Sequence, residues 1–427
     1  MRTPGTRRRP TPSARAGCGG SGERRAGGAV TADAVVRVSG PEPAALEGVR
    51  VLDLSRVLSG PLCARMLADL GAEVIKVESP DGDDGRHFGP FAGGQSTFHR
   101  LLNRNKLGVA LNLKDPGDRD RFARLVARSD VLVENFRPGV IDRLGFGPEE
   151  LLRLNPGLVA VSISGFGRTG PLADTPAYDL IVQAMSGLMS VTGPDGGPGV
   201  RVGVSIGDVV PALYAVVGVL SALGQRERTG RGQHIDVSMF DGLISVMESV
   251  AMRALHTEEA VLPTGGHHAI SAPYGTFAAK DGPVAIAVAS DALFVRLAAV
   301  FDRPHWLADE RYASDAARGQ NREALRREVE AALADMTVQE ALDRLARGGV
   351  PCGPILGVRE ALSHPHTLAR GLVPTEPDGF RTLGGGVRTT GTVRSLRPAP
   401  ALGEHDHLLA RWLAEEPRRT TPTPRTE

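Results

Sequence analysis

Cysteine is scarce: Cys18, Cys63 and Cys352 are the only three in 427 residues. Three scattered thiols exclude a disulfide framework and a cysteine-based zinc site, and they point to a reducing, cytoplasmic setting. A surplus of either charge is also missing, since 50 Lys+Arg stand against 49 Asp+Glu for a net charge of +1. That balance argues against a nucleic-acid binder working through a broad basic surface. Long apolar runs are absent as well. The longest, Val209 to Gly224, has 16 residues, begins beside Asp208 and contains Pro211, whereas a bilayer span needs about 20. A buried core helix is expected, and no membrane partner. The turn Ser55 to Pro61 carries no G-x-G-x-x-G, and neither the P-loop G-x-x-x-x-G-K-[ST] nor the zinc motif H-E-x-x-H occurs, which removes the simplest NAD, NTP and zinc-protease readings.

What is present is a core-forming composition, 41% hydrophobic, too apolar for a disordered chain. At about 100–200 residues per domain, the length fits two or three domains or one large one. Residues 1–45 carry eight arginines against three acids, a net of +5, which leaves −4 for the remainder. This leader is rich in Gly, Pro, Ser and Arg, has no apolar period and no signal-peptide core, and is expected to be disordered. An upstream extension outside the fold is the favoured explanation and a transit peptide the alternative. A second Pro/Thr/Arg-rich tail is expected over 413–427.

From Leu46 the pattern becomes regular. Strands are expected at Val49–Leu54, Glu73–Val77, Asp130–Glu134 and Leu158–Ile163, with helices at Pro61–Leu70, Pro116–Arg128 and Pro148–Leu154. Strand, helix and strand within 30 residues make a βαβ unit, so a doubly wound parallel sheet of Rossmann type is expected. The texture changes near Gly265. A hairpin is expected from Ala272–Phe277 and Pro283–Val288, followed by helices at Asp291–Phe301, Asn321–Ala334 and Thr337–Ala346. The last opens with Thr337 and Glu340, a capping box. The expected organisation is an α/β chain: a large Rossmann-like domain over 46–240, a linker over 241–264, a small α+β domain over 265–355 and a return segment over 356–412.

Few residues are placed to do chemistry. Cys63 falls in a helical pattern and Cys352 in a Pro/Gly loop, so both read as small buried residues. His267 and His268 are adjacent, which suits a loop and not metal ligation; no metal site is expected. Glu78 ends the second strand where a ribose-binding acid would stand, but the turn after the first strand, Ser55 to Pro61, places Val57 and Leu58 where a pyrophosphate loop needs glycine. Two carboxylates remain. Asp208 follows Gly207 just before the apolar helix, and Asp179 follows Tyr178 before another apolar segment. Each reads as a helix cap held by amides and the helix dipole, or as a reactive acid.

The stretches LEGVRVLDLSRVLSGPLCARMLADLGAEVIKVESPDGDDGR (46–86), NRNKLGVALNLK (103–114), DVLVENFRPGVIDRLGFG (130–147), SISGFGRTGP (162–171), VGVSIGDVVPAL (202–213) and RTGRGQHIDVSMFDG (228–242) resemble the family III CoA-transferases. APYGTF (272–277) and GVPCGPI (349–355) fit too. The resemblance runs in order from about 46 to 412. It implies transfer of CoA from an acyl-CoA donor to a carboxylic acid, with coenzyme A as substrate and no permanently bound cofactor, and an interlocked homodimer. It assigns Asp208 as the nucleophile that forms an aspartyl-CoA thioester, with Tyr178 and Asp179 beside it. It assigns CoA contacts to Val57, Leu58, Ser59, Leu111, Lys114, Asn135, Phe136 and Arg143, and a shielding loop to Gly265, Gly266 and His267, shorter than in formyl-CoA transferase. Two departures stand out: Ser79 and Pro176 occupy places where some relatives have Arg and Lys. Backbone amides at the start of the apolar helix are expected to stabilise the oxyanions. Two alternatives accompany this reading, an acyl-CoA racemase or epimerase and a non-catalytic acyl-CoA-binding relative. A racemase of this superfamily carries His where Tyr178 stands, and an unperturbed tyrosine, with a pKa near 10 against about 6.5 for His, is a poor base at neutral pH.

Overall fold

A computed structural model of the protein describes residues 43–388 and 395–417. Six parallel strands form the central sheet: β1 (Arg50–Asp53), β2 (Glu73–Glu78), β3 (Lys106–Ala110), β4 (Val131–Glu134), β5 (Val159–Ser164) and β6 (Gln233–Ser238), in the order β3-β2-β1-β4-β5-β6. Successive side chains of a strand leave opposite faces, and both faces here are covered. Val51, Val74, Val131, Val133 and Val159 pack toward helix α1 (Ser59–Asp69) and the long apolar helix. Leu52, Ile75, Leu132 and Ala160 pack toward α2 (Pro116–Val126), whose Phe122, Leu125 and Val126 are buried. Burial on both sides explains why these strands read as continuous Val/Ile/Leu runs.

Both outer strands escaped the sequence reading. Lys106 opens β3, and its ammonium is fully buried against Asp53 at 2.7 Å. Strand β6 contains His234 and Asp236 and lies at the other edge. Charged residues masked the strand pattern at both places.

Helix α3 (Asp179–Met185) precedes α4 (Ile206–Thr229), the crossover between β5 and β6. Helix α4 extends beyond the apolar run at both ends. It is the one helix among the described residues long and apolar enough to span a bilayer, yet half of that window is buried. Ala212, Ala215, Val219 and Ala222 face the sheet, small residues that let the helix approach closely.

A second sheet has three antiparallel strands, β7 (Tyr274–Ala279), β8 (Gly282–Ala287) and β9 (Cys352–Pro354), in the order β9-β8-β7. The expected hairpin is its first pair. Cys352 belongs to a strand and not to a loop; three residues with Gly and Pro carry too little local signal, and their pairing is set by β8. Helices α5 (Asp291–Phe301), α6 (Arg322–Leu333) and α7 (Val338–Arg347) share a separate core with this sheet around Phe277, Trp306, Leu325 and Leu345. The Thr337–Glu340 capping box is formed, with Glu340 Oε2 accepting from the Thr337 amide at 2.8 Å.

The return segment seals the free edge of β3. The Gly108 amide donates to His405 Nδ1 at 3.1 Å, and the Ala110 amide to Asp406 Oδ1 at 2.9 Å. A short helix, α8 (Leu409–Ala414), then buries Trp412 and Leu413 against the sheet. The tail therefore begins later than 413: Glu415 still bonds Arg50 at 2.7 Å. At the other end, Ala44 is already buried. Residues 1–42 of the expected leader and 418–427 of the expected tail lie outside the described residues.

Candidate active site

The strand order reverses direction between β1 and β4. In open α/β sheets the crevice at the carboxyl ends of the strands, at such a switch point, is where ligands bind. A cleft of about 180 Å³ lies there, lined by Ser55 and Arg56 after β1, Ser79 and Asp83 after β2, Leu111 and Lys114 after β3, and Phe136 after β4. Glu78 also lines the cleft, with both carboxylate oxygens engaged inside the protein. Its oxygens accept from the Asp83 amide at 2.9 Å and from Arg86 at 2.8 and 2.6 Å.

The turn after β1 holds an unusual residue. Val57 has φ +66°, a left-handed conformation that is an outlier for a β-branched side chain and costs on the order of 1–3 kcal/mol. Two side chains hold the turn. Asn135 grips Arg56 at both ends, accepting its amide at 2.7 Å and donating to its carbonyl at 2.8 Å, and it also donates to Ser59 Oγ at 3.2 Å. Asp83 Oδ1 accepts the Val57 amide at 3.1 Å and the Gly85 amide at 2.9 Å. Its other oxygen meets the fully buried Lys76 ammonium at 2.9 Å, and Lys76 also donates to the Ser55 carbonyl at 2.9 Å. Burial alone would raise the Asp83 pKa, but Lys76 and the two amides hold it down at about 2.

Asp208 has the opposite surroundings. Ser205 is the cap of α4, and Asp208 sits in the first turn, so the capping role is not realised. Its half-buried carboxylate has no hydrogen-bond partner among the described residues. Burial, and then the negative charge of Asp179, push its pKa up to about 7. Asp179 is held firmly: Oδ1 accepts from Gln183 Nε2 at 2.8 Å and from the Gly207 amide at 2.9 Å, and Oδ2 meets Arg201 at 3.2 Å. Glycine is required at 207 because a Cβ there would stand 2.7 Å from Val182 Cγ2 and 3.0 Å from Asp179 Oδ1. The first-turn amides are already engaged. Gly207 donates to Asp179, while Asp208 and Val209 donate to the Ser205 carbonyl at 3.0 and 3.1 Å. The expected oxyanion role for these amides is therefore not supported.

Comparison with known proteins decides the family. The model of CoA-transferase family III matches residues 46–406. The chain belongs to CoA-transferase family III. It is 46% identical over 329 residues to the acetyl-CoA:oxalate CoA-transferase of Acetobacter aceti, which covers 77% of this chain and 85% of the relative. It is 38% identical to the succinate–glutarate CoA-transferase of Agrobacterium fabrum, covering 88% and 98%. Among solved structures, a CaiB/BaiF family protein from Brucella suis superposes with a TM-score of 0.77 at 36% identity, covering 87% of this chain and all of that one. The protein is thus an enzyme, and coenzyme A is its substrate.

Seen as a family III CoA-transferase, the chain gathers most of the expected CoA contacts. Leu111, Lys114 and Phe136 line the cleft, and Val57, Ser59 and Asn135 belong to the clamped turn. Leu58, also in that turn, is half-buried immediately ahead of α1. Arg143 does not line the cleft. It is exposed, and its guanidinium lies beside Gly139. Tyr178 is 75% exposed at the cap of α3, and its side chain makes no capping hydrogen bond there. Gly266 and His267 line a different groove, with Tyr274 and Cys352; Gly265 adjoins them, its amide bonded to the Gly193 carbonyl at 3.1 Å. Four functional candidates were missed. Arg56 is a half-exposed cation at the cleft, paired with Asp84 at 2.7 Å, and was visible only as a basic residue in the first turn. Lys76 and Asp83 show their roles only through contacts. Glu134 ends β4 nearly fully buried, accepts the Phe136 amide at 2.7 Å, and is pushed up to about 7, chiefly by burial.

Proposed function

We propose that the enzyme moves CoA from an acyl-CoA donor to a small dicarboxylic acid, with Asp208 as covalent nucleophile. The observation that carries this reading is the Asp208 carboxylate itself, set beside a fully bonded Asp179 but without a hydrogen-bond partner of its own. A carboxylate poised near neutrality is both available as an anion and reactive. Its oxygen attacks the donor thioester carbonyl, giving a mixed anhydride and CoA thiolate. The thiolate attacks the Asp208 carbonyl, forming aspartyl-CoA and releasing the donor acid. The acceptor carboxylate attacks that thioester, and the thiolate freed a second time takes the acceptor acyl group, regenerating Asp208. Relatives named for oxalate and glutarate support a dicarboxylic acceptor. Arg56 and Lys114 at the cleft supply cations for the CoA phosphates, and Arg56 offsets the serine at position 79.

Racemisation needs a second base across the α-carbon, and Tyr178, a poor base at neutral pH, stands where a racemase carries His. Hydroxylamine added after acyl-CoA tests the covalent step. A hydroxamate mapped to Asp208 by mass spectrometry is expected; its absence with every donor tried, or α-carbon deuterium uptake without acid exchange, overturns the reading. A non-catalytic relative would bind CoA but give neither product.

The homodimer implied by the resemblance gains support from an apolar face. Leu213, Tyr214, Val217 and Leu220 on α4 are each at least 41% exposed and follow one helical stripe, an area that soluble chains normally cover. A second copy is proposed as the cover. Light scattering should give twice the chain mass of 45.0 kDa, and Val217→Asp should reduce it to the monomer value.

A further inference from the structure

The strained Val57 and the buried charges beneath it belong together. Lys76 rises from β2 with no solvent exposure, yet its ammonium reaches two different segments, the Ser55 carbonyl and Asp83. Asp83 carries the contact onward to the Val57 amide. Without that acceptor, a valine would leave the left-handed region, because its branched side chain disfavours it. We propose that Lys76 and Asp83 are positioning residues, which hold Val57 left-handed so that the Arg56–Ser59 turn meets CoA already formed.

The chemistry of the pair supports this. A buried ion pair is a costly way to hold a strand and the loop after it together, and apolar residues of similar size would serve stability as well. It does supply what an apolar pair cannot, an acceptor with two oxygens in fixed places. One oxygen faces the lysine and the other collects the amides of Val57 and Gly85. Asn135 braces the same turn from β4. The turn is therefore tied to strands on both sides of the switch point, and ordering it before binding lowers the entropic cost of capturing a flexible ligand.

This inference rests on the proposed use of the cleft for CoA. Asp83→Asn is the discriminating variant, because an amide can satisfy Lys76 or Val57 but not both. Calorimetric titration with CoA is expected to show about tenfold or greater weakening, with kcat at saturating acyl-CoA changed much less than KM. The amides of 55–59 should also exchange hydrogen faster in Asp83→Asn than in the wild-type enzyme; a structural defect elsewhere would leave them unchanged. Unchanged affinity for CoA in Asp83→Asn, or unchanged exchange across 55–59, overturns the proposal. Should Asp83→Asn not fold, hydrogen exchange in the wild-type enzyme decides. Slow exchange across 55–59 before CoA is added supports a preformed turn, and fast exchange that slows only with CoA overturns it. A wild-type enzyme that binds no CoA at all would instead overturn the functional reading.

Discussion

Asp83 and Asp208 carry the same side chain in segments that follow two strands of one sheet, and their surroundings drive them in opposite directions. Asp83 is buried but meets an ammonium and two amides, which keep it ionised down to about 2. Asp208 is less enclosed, has no such donors and faces Asp179, and its pKa rises to about 7. Partners, more than depth, decide whether a carboxylate is structural or reactive. The first acid is satisfied and shapes the backbone. The second is left wanting a partner, the condition of a nucleophile.

The comparison breaks most readily at Asp208. Asp208→Asn should lower CoA transfer by about 10⁴-fold while CoA binding stays within a few-fold, measured by steady-state kinetics and titration; transfer above a tenth of wild type would remove Asp208 from the reaction. A smaller effect is expected from Gly207→Ala. Its new methyl would press on Val182 and Asp179, costing about 1–3 kcal/mol of stability and lowering kcat as Asp208 shifts; thermal melts and kinetics check both. The smallest effect concerns pH. Below about 7 Asp208 takes up a proton and ceases to be a nucleophile, so kcat/KM should fall about tenfold per pH unit. Asp179→Asn removes a negative neighbour, which favours the ionised form, so the acid limb should move below 7. Burial is the larger cause, so the limb should stay above the ordinary carboxylate value near 4. A limb that stays at 7 or rises would show that Asp179 does not act on Asp208.

Much of the fold was legible because its signals are local or repetitive. Strands β1, β4 and β5 are buried on both faces and read as apolar runs. The Thr337–Glu340 box spans four residues and needs nothing else to form. Strand β3 was hidden because its buried Lys106 depends on Asp53, a residue 53 positions away. The candidate site divides in the same way. Glycine followed by aspartate before an apolar helix left Asp208 as either a cap or a reactive acid, and the family resemblance assigned it the nucleophile's role. That its carboxylate lacks a partner depends on Asp179, which captures the neighbouring amide from 28 residues upstream. No sequence pattern announces a valine at φ +66°, and Arg143, expected at the cleft, stands outside it.

The seal on β3 has a consequence for biosynthesis. His405 reaches back 297 residues to the Gly108 amide, so this strand edge leaves the ribosome long before its cover exists. At about 5–20 residues per second, the interval is roughly 15–60 s. During that time an open row of amides and carbonyls is a template for any other strand, including the same strand on a neighbouring nascent chain. Chaperone demand and aggregation should therefore concentrate on the nascent chain between these two points, and a chain truncated before 395 should stay soluble poorly even though the carboxylate proposed as nucleophile has already been made.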